Sequence, residues 1–83
     1  MDHAIYAAMF AGFNDYLNDF PSRMDDYDYF TGPRYEAGRH LGAHFRVTGL
    51  DPETVTQSNI YKHLSQHSKE IYPYGGKHIR ARN

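Results

Sequence analysis

The chain contains no cysteine. That excludes disulfides, thiolate-held structural zinc and a thiol nucleophile. It fits a reducing compartment, so the expected setting is the cytoplasm. Long apolar runs are missing too. The longest, Ala4–Phe13, is well short of the roughly 20 residues that span a bilayer. Asp2 rather than a basic region precedes it, so it does not read as a signal peptide, and no membrane partner is expected. Strand-like alternation and low-complexity tracts are absent as well. Catalytic signatures are equally scarce. Ser22, Ser58, Ser65 and Ser68 lack a nucleophile-elbow context. The stretch GGKH at Gly75–His78 lacks the upstream glycine spacing and the following Ser/Thr of a phosphate loop. No carboxylate pair stands in an apolar setting as an acid–base couple. The chain is therefore not expected to be an enzyme.

What is present is a small chain with divided charge. Its 83 residues are expected to form one helical domain, 1–83, near the lower size limit for independent folding. The formal net charge of −1 conceals an acidic first part and a basic second part. Up to residue 32, Asp2, Asp15, Asp19, Asp25, Asp26 and Asp28 stand against Arg23 alone. After it, eight Lys and Arg residues face Glu36, Asp51, Glu53 and Glu70. Such asymmetry points to charged partners, to head-to-tail association of copies of the chain, or to halves that fold together and partly cancel.

The fold class read from periodicity is all-α, a bundle of three to four helices with an irregular basic tail at 72–83. Residues 3–20 give the clearest helix. Ile5, Tyr6, Met9, Phe10, Phe13, Tyr16, Leu17 and Phe20 form one broad stripe. Asp2 supplies a cap and Pro21 a stop. Ala4, Ala7, Ala8 and Ala11 line the other side, small enough for a second backbone to approach, and Asn14, Asp15, Asn18 and Asp19 finish it. Residues 22–31 read either as a loop or as a short helix capped by Ser22, with Met24, Tyr27 and Phe30 inward. The helix 33–48 starts at Pro33 and presents Ala37, Gly38, Leu41 and Phe45. Gly49 suits the left-handed position beyond its end, with Leu50 folding back on Phe45. Asp51 and Pro52 open a last helix, 52–71, that breaks and restarts near Thr56 and turns Ile60, Leu64 and Ile71 inward.

Two stretches nearly repeat: RHLGAH at Arg39–His44 and KHLSQH at Lys62–His67. The spacing puts His40 with His44, and His63 with His67, on shared helical faces, where imidazoles can hold a metal ion. Glu36 and Glu70 lie within one turn of them. On helical wheels, however, His44 and His67 flank the apolar faces while His40 and His63 turn toward solvent. Ordinary boundary histidines have the same pattern. No cofactor is therefore called for; zinc or another transition metal on these four histidines is an alternative.

Two binding surfaces remain. The segment Asp25–Phe30, DDYDYF, joins tyrosines, which bring contact area, to carboxylates that select a basic partner. The basic second part offers Arg39, Arg46, Lys62, Lys69, Lys77, Arg80 and Arg82 to phosphates, and Tyr72 and Tyr74 to unpaired bases. The stretch His44–Val55 matches a helix–turn–helix pattern at two of four positions, while a sequence pI near 6.6 weighs against a dedicated nucleic-acid binder. The expected function is that of a small regulatory protein, an adaptor or inhibitor of the kind carried by phages or mobile elements. It would act by binding another protein with a basic surface. Asp25, Asp26, Tyr27, Asp28 and Tyr29 would carry that contact, with Arg80 and Arg82 as a second one. A nucleic-acid-binding regulator is the alternative.

Overall fold

A computed structural model describes residues 3–71. Among these residues the chain is all-α: α1 is His3–Leu17, α2 is Gly32–Thr48, α3 is Ile60–Gln66 and α4 is Ser68–Ile71. Single 3-10 turns at Met24–Asp26 and Pro52–Thr54 punctuate the two longer connections. No helix among the described residues is long and apolar enough to cross a membrane.

Helix α1 ends three residues before the expected boundary, and Pro21 is not what stops it. The Phe20 N–H returns to the Asp15 carbonyl at 2.8 Å and the Asp19 N–H to the Tyr16 carbonyl at 3.0 Å. This is a Schellman ending, with Asp19 rather than glycine in the left-handed region at φ 62°. Phe20 therefore leaves the stripe and is exposed. Helix α2 closes as expected, with Gly49 at φ 76° and the Leu50 N–H reaching the Phe45 carbonyl at 3.2 Å.

The core joins Met9 and Phe13 of α1 to Leu41 and Phe45 of α2, and to Val55, Ile60, Leu64 and Ile71 from the last third of the described chain. Ile5, Tyr6, Phe10 and Leu17 pack around it. The aromatic stripe is thus core at its centre and boundary at its edges. On the small side of α1, Ala8 and Gly12 are buried where α2 crosses, while Ala4 and Ala7 stay exposed. A Cβ built on Gly12 would run into the Tyr35 carbonyl, and one on Gly38 into that of Met9. Helices this close leave little solvent over Asp15, which is 5% exposed.

Beyond α2 the chain does not make a helix–turn–helix. Asp51 caps only the 3-10 turn, accepting from the Glu53 N–H at 3.0 Å. Asn59 holds the next stretch open by bonding the Thr56 N–H at 2.6 Å and the Thr54 carbonyl at 2.9 Å. Helix α3 begins only at Ile60, too far from Gly49 for the short turn that motif requires.

Candidate functional site

The segment between α1 and α2 is anchored at its start and open at its tip. Arg23 lays its guanidinium on the Asp15 carboxylate, Nε to Oδ2 at 2.9 Å and Nη2 to Oδ1 at 3.1 Å. The Tyr35 hydroxyl donates to the same carboxylate and accepts from the Arg23 N–H at 3.0 Å. Ser22 donates to buried Glu36 at 2.7 Å. These bonds satisfy two acids of α1 and α2 that burial would otherwise penalise. Burial first, and the Asp15 carboxylate second, raise the Tyr35 phenol above its ordinary value, so its proton stays in place to donate.

From this base the acidic-aromatic segment rises. Asp25 and Asp26 are exposed in the 3-10 turn. Tyr27 turns back and stacks on Tyr35, ring centroids 4.7 Å apart. Asp28 is exposed but committed. Its Oδ1 accepts from the Phe30 N–H at 3.0 Å, and from the Thr31 N–H and hydroxyl at 2.8 Å each. The Thr31 N–H first and its hydroxyl next hold the Asp28 carboxyl below its ordinary value. Tyr29 and Phe30 have no such commitment and are 94% and 72% exposed. Phe30 therefore points away from the core, contrary to the inward placement expected of it. The turn that Asp28 closes aims it outward.

Tyr29, Phe30, Asp25 and Met24 line an open groove of about 770 Å³ whose far side is Pro33, Arg34 and Ala37 of α2. Sequence reasoning marked most of the acidic-aromatic wall but missed Phe30 as a surface residue, and missed the α2 wall. The signal available was Gly32-Pro33, which starts α2 directly after the segment and so brings its first turn alongside.

The basic residues are split. Arg46 donates to the Tyr16 and Leu17 carbonyls at 3.3 and 3.0 Å and pairs with Asp19 at 3.0 Å. Arg39 donates to the Phe20 carbonyl at 2.9 Å. Their guanidiniums lie 4.8 and 5.6 Å from the centre of the Tyr16 ring. Both cations thus face the negative end of α1, and the Arg46–Asp19 pair joins the basic part of the chain to the acidic part. Lys62 and Lys69 are exposed. Tyr72, Tyr74, Lys77, Arg80 and Arg82 lie outside the described residues.

The four repeat histidines do not share one centre. His40 is 4.0 Å from Glu36. His44 and His67 come together, rings 4.7 Å apart, while the His63 ring is 6.5 Å from that of His67. His63 was expected to face solvent. It packs instead on Phe45, with its Nδ1 buried and unpartnered among the described residues. The carboxylate that joins His44 and His67 is Glu70.

Comparison of the chain with known protein families, with curated proteins and with solved structures finds no match.

Proposed function

We propose that this chain is a non-catalytic regulatory protein of the cytoplasm, an adaptor or inhibitor, that binds another protein carrying a basic surface. The observation that carries this reading is the exposure of Tyr29 and Phe30 at the rim of a groove they share with Asp25. Exposed neighbouring aromatics have no role in this fold's own core. Aromatic anchors ringed by polar groups are the usual centre of a protein interface, and the Asp25 and Asp26 carboxylates favour a cationic partner. The Asp15–Arg23–Tyr35 bonds beneath the segment support the reading, since a held surface loses less entropy on binding.

The nucleic-acid alternative has less support. Arg39 and Arg46, two of its phosphate contacts, are engaged with the end of α1.

The test is quantitative binding to the protein that co-purifies with the chain from its host. Tyr29→Ala should weaken binding by about thirtyfold, the level of an interface anchor. Asp25→Lys with Asp26→Lys should abolish it without changing the melting temperature, since both side chains are exposed. Asp28 is left intact because its carboxylate closes the turn. Binding that survives both variants would remove this surface from the function. Salt-dependent shifts of nucleic acid lost in Lys62→Glu with Lys69→Glu would replace the reading by its alternative.

A further inference from the structure

The groove lies along the first turns of α2. Near the other end of that helix a second cluster forms from different elements. His44 comes from the penultimate turn of α2, His67 from the junction of α3 and α4, and Glu70 from α4. One ligand atom from each lies within 4.8 Å of the other two. Both histidines are half-buried and Glu70 is exposed, so the cluster opens to solvent on its carboxylate side.

Packing orients the imidazoles. Phe45 is buried at the centre of the core. The His67 ring meets it at 85° with centroids 5.9 Å apart, and the His63 ring meets it at 72° and 5.8 Å. His44, one residue before Phe45, is tilted 44° from His67. Glu70 follows His67 by one turn, and its N–H bonds the His67 carbonyl at 3.1 Å. The Glu70 backbone is thereby fixed relative to His67.

We propose that His44, His67 and Glu70 form a site for a divalent transition metal of the zinc class. Two imidazoles and one carboxylate suit zinc, cobalt, nickel or copper, whereas magnesium and calcium favour all-oxygen shells. An ion about 2 Å from each donor needs the donors roughly 3.3 Å apart. Binding therefore has to draw the donors closer than their present spacing of up to 4.8 Å. The fourth position, on the open side, takes water or a donor from another molecule. Because its ligands come from α2 and from the α3–α4 junction, the ion ties the end of the described chain to the central helix. This site rests on observations separate from those behind the binding groove, and either can fail alone.

Zinc chloride titrated calorimetrically into the full chain tests the site, with melting followed by circular dichroism. The expected result is one zinc per chain, a higher melting temperature that a chelator reverses, and no response to magnesium or calcium. A group that merely orients a ligand contributes about ten- to a hundredfold in metal affinity, so His44→Ala and His67→Ala should each cost at least tenfold. His40→Ala should leave affinity unchanged. Glu70→Gln alters only an exposed side chain and keeps the test valid if a histidine variant fails to fold; it too should cost tenfold or more. Absence of zinc binding would overturn the proposal. So would full affinity in Glu70→Gln, or an equal loss in His40→Ala.

Discussion

The Tyr35 hydroxyl donates a hydrogen bond to the Asp15 carboxylate where α1 and α2 cross, and both residues are buried there. The same hydroxyl accepts from the Arg23 N–H. One phenol thus satisfies an acid on α1 while holding the start of the segment that carries Tyr29 and Phe30.

Tyr35→Phe removes that donor and leaves a buried carboxylate short of a partner. It should destabilise the fold by about 1.5–3 kcal/mol, the range for hydrogen bonds to charged groups, measured by denaturant unfolding. The pH dependence supplies a second readout. Burial first, then Asp15, raise the Tyr35 phenol above its ordinary 10.0. On alkalinisation the folded protein keeps a proton that the unfolded chain releases earlier. This contribution is whole below pH 10.0 and is lost as pH rises through the folded value. Stability of Tyr35→Phe should therefore fall less steeply above that pH than stability of the parent.

Gly38→Ala tests the closeness of the crossing. The added methyl would occupy the place of the Met9 carbonyl, which is backbone and cannot rotate away. The helices must separate, and the cost should reach or exceed the roughly 1–3 kcal/mol of ordinary overpacking. Gly42→Ala meets the Phe13 carbonyl at 3.0 Å and should cost less. Melting temperatures of the two variants, compared with the parent, decide the order.

Asp28→Ala tests the turn that precedes α2. Bonds from the Thr31 N–H, the Thr31 hydroxyl and the Phe30 N–H hold the Asp28 carboxyl below its ordinary 3.8. A depressed acid stabilises the fold above its unfolded value, and that stabilisation disappears as pH falls through the folded one. The variant should be less stable than the parent near neutrality, and the gap should narrow in acid. Unfolding curves at the two pH extremes measure it. An unchanged gap would show that the carboxylate charge plays no part in the turn.

Local chemistry along the chain was enough to place α1 and α2 and the glycine that ends α2, but not the Asp19 ending of α1 or the late start of α3. Spacing of Met9 and Phe13, of Leu41 and Phe45, and of Ile60 and Leu64 marks the core faces, because one turn of helix repeats over neighbours in sequence. Gly49 announces its own left-handed position for the same short-range reason. The acidic-aromatic segment could also be singled out from its residues alone. What periodicity cannot supply is where one helix crosses another. That crossing buries Asp15 and gives it Tyr35 and Arg23, and it requires Gly12 and Gly38 to have no side chain. Phe30 faces outward for a more local reason, the turn that Asp28 closes before α2. The repeated HLxxH stretches show the limit most directly. Sequence paired His40 with His44 and His63 with His67, since each pair shares a helix. The fold instead joins His44 to His67 and Glu70, because packing on Phe45 brings the end of α2 against the α3–α4 junction, a contact set by distance in space and not along the chain.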